Sequence, residues 1–541
     1  MTARGHTAPA AERWDDRLVI EIARNGLEAI TEEMAITHVR AAYSSVVRDM
    51  LDFSTAICDG DGKVVAQGLS LALQLGAVPR FMSFLSEAEP EAGDVYLTNH
   101  PWLGGVHLPD FFFARPVMLA GDTRPSAWVV MVSHMVDVGG RFPGGVAAGA
   151  ASLWEEGLVL PHLRLVRRGG LDESVLDLIA ANSREPAKVR GDVRAALAGL
   201  QTGANQFGEL SERLGRSTLI HAMDHILSSS ERATRAAIAE LPDGRARAVD
   251  YLDDDGNGGE PVKFVCEVSK QDDRLCFDFT GTAGQVPAGI NTTVADVISV
   301  VAFVTRAALP AVGEVNDGFY RCLDYVAPEG CIVNARYPAA VGARAASIYR
   351  LTDVAMGALG TLAPGRLPAN DGGPGVIYFS GRRETGEDWI YLDYIHAGWG
   401  ATAHDDGVPG VSHPIANAAN IPVEVMEEEY PLRMVRYGLA PATAGSGRYR
   451  GAPAVVREYE LLGPARIDFR LERMHHPPAG LRGGGAGSTS RLRIRCSGQW
   501  RDIGGKGTIS LSAGDRISVQ LAAGGGYGEP VVPDPRQAQK R

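Results

Sequence analysis

The stretch N-H-P-W-L-G-G-V-H-L-P-D-F-F-F-A-R-P-V-M, Asn99–Met118, decides how the first part of the chain reads. From Phe111 it is a short apolar run that predicts a strand reaching Leu119. Before that run sits His-x-x-Asp, at His107 and Asp110. Pro109 fixes its own φ and biases Leu108 toward extended backbone, so this segment is not helical. In a flat strand, side chains three apart point to opposite faces, whereas in a turn they converge. Gly104-Gly105 makes such a turn accessible.

The signature recurs in V-S-H-M-V-D-V-G-G-R-F-P-G-G, Val132–Gly145, with His134 and Asp137 beside Gly139-Gly140. His134 closes an apolar strand that starts at Trp128, and a strand end opening into a loop is a common place for a site. Imidazole and carboxylate are the ligands of zinc, manganese or iron(II). The alternative for each histidine is a hydrogen-bonded imidazole in a turn. Asp137 also fits a supporting role, holding the N–H of His134 or capping the loop that follows.

Outward from these strands the text alternates in character. Residues 15–50 carry apolar side chains at helical spacing. Asp52–Ala66 reads as a hairpin around D-G-D-G-K, and strands are expected at Asp94–Thr98, Phe111–Leu119 and Trp128–His134. A short helix follows Pro79. Leu176–Ala181, Gly191–Gln201 and Gln206–Ala239 predict helices. Strands return over Ala248–Thr282, and Thr292–Leu309 predicts a buried helix. From about Ala444 the chain is glycine-rich with short β-branched pieces. The expected fold class is α+β, a multi-layer mixed architecture in three portions. Residues 1–240 are a metal-bearing α/β portion with a helical segment, 241–443 a central α/β portion, and 444–541 a β-rich portion.

At 541 residues the chain is long enough for several cores. Its net charge of −12 offers no basic face to displace phosphate counterions, which argues against nucleic acid as a partner. The apolar runs Trp128–Val132 and Val297–Val304 fall far short of the ~20 residues of a membrane span. The polar N-terminus lacks the apolar core of a signal peptide. Six cysteines without a C-x-x-C read as reduced thiols, and so as a cytoplasmic protein. The runs G-G-G-A-G, G-G-G-Y-G and G-G-K-G-T do not make a phosphate loop, so no nucleotide site of its own is expected.

Several blocks together resemble the hydantoinase B family. They are L-D-F-S-T-A-I-C-D-G-D-G-K-V-V-A-Q (Leu51–Gln67), the two His-x-x-Asp segments, D-F-T-G-T-A (Asp278–Ala283) and Y-P-A-A-V (Tyr337–Val341). They continue with N-A-A-N-I-P-V-E-V-M-E-E-E-Y-P (Asn417–Pro431), G-S-G-R-Y-R-G-A-P-A-V-V-R-E-Y-E (Gly445–Glu460) and G-G-G-Y-G-E-P, nearly end to end. That family contains the B subunits of ATP-dependent N-methylhydantoinase and caprolactamase, the related half of 5-oxoprolinase, and alpha-type subunits of acetone and acetophenone carboxylases. The resemblance implies one divalent ion (zinc, manganese or iron) on Asp52, His107, Asp110 and His134. Asp49 is the other acid that could stand where Asp52 does. It also implies a hetero-oligomer with a hydantoinase A-like partner that uses ATP and magnesium to phosphorylate the substrate oxygen. This chain would then hydrolyse the activated cyclic amide, with His100 or Asp137 as proton shuttle. The alternatives are a ketone carboxylase subunit and a non-catalytic structural partner. The chain departs from the family in two places. His100 stands in N-H-P where Asn-Asp-Pro is usual, and Gln74-Leu75-Gly76 replaces His-x-Gly.

Overall fold

A computed structural model describes residues 16–530, except 69–70, 86–87, 147–148 and 441. The polar N-terminal stretch thus lies mostly outside the described residues. Helix α1 (Asp16–Ala41) leads into α2 (Ser45–Arg48) and the hairpin β1 (Phe53–Asp59) and β2 (Val64–Gln67). Then come α3 (Ala72–Leu75), α4 (Val78–Leu85), β3 (Val95–Thr98), β4 (Asp110–Val117), β5 (Ala127–His134), β6 (Leu163–Arg167) and β7 (Gly170–Leu171). The seven strands form one sheet in the order β2-β1-β5-β4-β3-β6-β7. Its neighbours are antiparallel.

This sheet is buried on both faces, which explains the unbroken F-F-F. Phe111 and Phe113 enter the main core, while Phe112 faces a second cluster with Phe81, Met82 and Leu85 of α4. Burial of each ring stabilises by roughly 1.5–3 kcal/mol relative to exposure. On the main-core side α1 presents Ile20, Ala23, Leu27, Ile30 and Met34, spaced three or four apart, and packs along α6.

The helical segment is α5 (Glu173–Ala181), α6 (Pro186–Leu214) and α7 (Arg216–Ala239). Here the structure corrects the expected boundaries. The helix does not break after Gln201. It runs through Gly203 and stops at Gly215, whose φ of +84° ends it. Packing along α1 outweighs the weak propensity of an internal glycine.

Strands β8 (Gly244–Leu252), β9 (Val262–Gln271) and β10 (Arg274–Asp278) precede α8 (Val294–Ala308), α9 (Asp317–Tyr320) and β11 (Leu323–Val326). They form a second sheet, β11-β10-β9-β8, covered by α10 (Ala345–Leu362). Helix α8 packs on α10 and is buried on most faces, as its sequence predicts. The remainder is β12 (Gly375–Arg382), β13 (Asp388–Ile395), β14 (Ala397–Gly398), β15 (Pro409–Val411), α11 (Val423–Glu429) and β16 (Leu432–Ala440), followed by β17 (Ala454–Leu461), β18 (Ala465–Arg470), β19 (Arg491–Cys496), β20 (Gln499–Ile503), β21 (Lys506–Leu511) and β22 (Arg516–Gln520). Beyond the small pair β14-β15 these strands build two sheets, β13-β12-β18-β21 and β16-β17-β22-β19-β20. Both join strands from the two sides of residue 444. The mixed α+β class expected from the sequence is the class observed. The glycine runs are loops that bond one another, as Gly526 N–H does to Gly485 O and Leu481 N–H to Gly526 O. All six cysteines are unpaired, and four are buried. Among the described residues no helix is long and apolar enough to cross a membrane.

Candidate metal centre

Antiparallel pairing brings three chain positions to one end of the first sheet. Asp110 opens β4 directly opposite His134, which closes β5. Asp52 immediately precedes β1, and its carbonyl accepts the His134 backbone N–H at 3.0 Å. His107 lies in the turn before β4, closed by the Asp110 N–H to the His107 carbonyl at 3.1 Å. Gly104, at φ +100°, lets the chain enter that turn.

The side chains converge. His107 Nε2 lies 3.2 Å from Asp110 Oδ2, and His134 Nδ1 lies 2.8 Å from Asp110 Oδ1 and 3.8 Å from Asp52 Oδ2. Ligand atoms of His107, Asp110 and His134 all fall within 4.8 Å of one another. Ligands of one ion are separated by at most twice the ~2.0–2.2 Å bond length, so a contraction of a few tenths of an ångström suffices.

Hydrogen bonding fits a cation here. His107 Nδ1 lies 2.9 Å from the Gly342 carbonyl, which can only accept, so Nδ1 carries the hydrogen. The Nε2 lone pair then faces a carboxylate oxygen, two acceptors in contact. The buried Nε2 of His134 has no partner among the described residues. Leaving such a group unsatisfied costs roughly 1–3 kcal/mol. An ion among these ligands relieves the facing acceptors. Burial pushes His107 down to about 4, against the pull of Asp110, so it is neutral as a ligand must be. Burial pushes Asp52 up to about 6, helped by Asp110 and opposed by His134. Burial also works on Asp110 and His134, but their contacts win. The two imidazoles hold Asp110 well below the usual range, and Asp52 and Asp110 raise His134.

Residues outside the His-x-x-Asp signature complete the site. Arg344, just before α10, is buried and donates to Asp110 Oδ2 at 2.9 Å and to Asp296 Oδ1 at 2.6 Å. Gln74 Nε2 donates to Asp52 Oδ1 at 2.9 Å, and Ser54 Oγ donates to Gln74 Oε1 at 2.7 Å. Gln74 thus supplies an amide donor to Asp52. Glu156 accepts from the Val341 and Gly342 N–H groups, holding the carbonyl that orients His107.

The proton-shuttle candidates stand elsewhere. His100 stacks on Tyr337 at 5.6 Å, and its Nδ1 accepts the Trp102 N–H. Asp137 accepts from Gly144 N–H, Ser183 Oγ and both the backbone and guanidinium of Arg184, pinning a loop. Neither lines the cavity described below. Asp49 is bound by Arg48 instead. Arg344 went unnoticed in the sequence, although it lies three residues beyond the Y-P-A-A-V block. A cation at a helix start is disfavoured by the helix dipole, and two carboxylates offset this.

A cavity opens from the cluster. Asp52, Gln74, His107, Asp110, His134 and Arg344 line one part. The rest is largely apolar, with the tyrosines 349, 378 and 394 and residues of β12, β13 and β18. Its volume is about 90 Å3, several times the ~10–15 Å3 that one water needs.

The chain is thus a mixed α+β protein with a buried two-histidine, one-aspartate cluster that could hold a metal ion, at the wall of a small cavity. Comparison with known proteins makes this specific. The model of the hydantoinase B/oxoprolinase family matches residues 16–530, and the chain belongs to that family. The B subunit of a putative D-/L-hydantoinase from Pseudomonas sp. strain NS671 is 28% identical over 96% of this chain and 91% of its own. The crystal structure of the ATP-dependent caprolactamase of Pseudomonas jessenii superposes with a TM-score of 0.90 at 26% identity, covering 98% of this chain and 93% of that one. Nucleotide-free acetone carboxylase shares the fold, with a TM-score of 0.88 at 17% identity over 97% of this chain and 77% of that one.

Proposed function

We propose that this chain is the metal-bearing subunit of an ATP-dependent cyclic amide hydrolase. The carrying observation is the buried His107–Asp110–His134 cluster, with Asp52 beside it, at the wall of a cavity sized for a small ring. The family's hydantoinase, oxoprolinase and caprolactamase members support the hydrolase class. The relative named as a subunit supports a partner chain, and that partner would carry ATP and magnesium. Amide resonance is the barrier such activation lowers.

His107, Asp110 and His134 hold the ion in this reading, with Asp52 as fourth ligand. A divalent ion held by these residues would supply Lewis-acid polarisation of a substrate oxygen and a lowered pKa for bound water. The chain does the rest. Gly342 O selects the His107 tautomer, Arg344 and Gln74 fix the two carboxylates, and the apolar walls exclude bulk water. His100 and Asp137 are given no role in this reading, because neither lines the cavity.

Elemental analysis of the purified chain beside His107→Ala tests this. About one zinc, manganese or iron per chain, lost in the variant, is the expected result. A folded protein offered these metals that binds none belongs instead to a structural partner. With the partner and ATP present, a requirement for bicarbonate would move the assignment to a ketone carboxylase, which shares the fold.

A further inference from the structure

Three arginines line the cavity, and two are neutralised. Arg344 is paired with Asp110 and Asp296, and Arg350 with Asp250 and Asp353. Arg470, the last residue of β18, is different. It is 7% exposed, yet no carboxylate lies within 4.0 Å of it among the described residues. Its Nη1 donates to the Val146 carbonyl, and its guanidinium lies over the Tyr378 ring at 5.5 Å. Its Nη2 is buried with no partner among the described residues.

Two acids in its surroundings are already engaged. Asp468 is held by Arg466 and Thr508, and Glu156 by the backbone of Val341 and Gly342. An arginine stays protonated even when buried, so this is a desolvated cation without a counter-charge. Such a group is strongly destabilising unless something else needs it. A guanidinium fork recognises carboxylate or phosphoryl oxygens in pairs.

Its position fits a role in binding. Arg470 and Val146 border both the cavity and a second hollow of about 230 Å3, lined also by Arg141, Phe142 and Thr508. Tyr378, under the Arg470 guanidinium, lines the same cavity as Asp52 and Asp110. The cavity lining therefore holds both the His107–Asp110–His134 cluster and a cation without a carboxylate partner.

We propose that Arg470 is an anion-binding residue of this cavity, and that the ligand is a small ring compound bearing a carboxylate or phosphoryl group. The anionic end sits on Arg470, and the ring lies toward His107, Asp110 and His134. The proposal rests on the hydrolase reading and narrows its substrate class. The anion has two possible sources, a carboxylate native to the substrate or the phosphoryl group added by the partner.

Calorimetric titration of the full-length chain distinguishes them, with 5-oxoproline, its uncharged counterpart 2-pyrrolidinone, and inorganic phosphate as probes. The wild type is expected to bind at least one anion ten-fold or more tighter than 2-pyrrolidinone. Arg470→Gln should abolish that preference while leaving 2-pyrrolidinone affinity unchanged. A preference for 5-oxoproline identifies a substrate carboxylate, and one for phosphate identifies the phosphoryl group. A purely structural arginine would move stability without moving this ratio. If Arg470→Gln fails to fold, Arg470→Lys, which keeps charge but not the fork, should cut the preference several-fold. No anion preference in the wild type, or one untouched by the substitution, overturns the proposal. Arg470-dependent anion binding in a chain that takes up no metal would instead leave the anion site standing and sink the hydrolase reading.

Discussion

His134 and Asp52 set how the centre answers pH. Protons and a metal ion compete for the same atoms. Asp52 and Asp110 raise His134, and burial pushes Asp52 up to about 6, so protons compete with the ion at both groups. Metal affinity should therefore strengthen as pH rises through about 6 and weaken below it. Competition with a chromophoric chelator at several pH values reads this directly, and a flat profile would contradict it. Glu156 gives a second residue-level expectation. Burial pushes it up from 4.5 to about 8 despite two backbone N–H bonds. Its folded value lies above its unfolded value, so the folded state binds the extra proton and stability falls as pH rises from 4.5 to about 8. Glu156→Gln should flatten that part of the curve, measured by urea unfolding across the window. An unchanged slope would assign the dependence to other buried acids.

Two short elements hold the centre in register. Helix α3 rests on α8 through Gly76, where a Cβ would come within 2.4 Å of the Ser299 nitrogen. Gly76→Ala must push α3 away and drag Gln74 from Asp52. Overpacking of this kind costs about 1–3 kcal/mol, visible as a lower urea midpoint, and metal affinity should drop with it. The start of α10 carries the larger effect. Arg344→Met leaves Asp110 and Asp296 buried without their cation, and breaking such a pair costs about 3–5 kcal/mol. Chemical denaturation of Arg344→Met checks this. A loss below ~1 kcal/mol would mean the carboxylates neutralise themselves by taking up protons. The elements were legible because their signals are local. The apolar runs of β4 and β5, the D-G-D-G-K turn and the spacing in α1 each lie within a few residues of one another. The α6 boundary was not legible, because Gly203 is tolerated only through packing on α1.

At the scale of the molecule the cavity belongs to no single stretch of chain. Its walls come from the first sheet, α10 and the sheet β13-β12-β18-β21. Strand β18 bonds β12 from Val376 to Ser380, so the part of the chain beyond residue 444 closes the site. A chain ending at residue 443 loses β18, Arg470 and Glu472 and exposes an edge of β12. It should aggregate or fail to retain metal, read by solubility and elemental analysis. A soluble, metal-loaded fragment would show that the first sheet and α10 suffice.

The sequence alone showed most of the strands and helices, the α+β class, and two His-x-x-Asp segments whose His107, Asp110 and His134 now line one cavity with Asp52, the residue that the family resemblance added. It did so because hydrophobic periodicity, turn glycines and ligand chemistry are properties of neighbouring residues. Only the tertiary structure decided which groups meet. Asp110 and Arg344 are 234 positions apart, and Val146 and Arg470 are 324 apart. No local pattern brings such pairs together; strand register and helix packing do. The same packing turned His100 toward Tyr337 and Asp137 toward Arg184, away from the cavity that their closeness in sequence to the ligands had suggested.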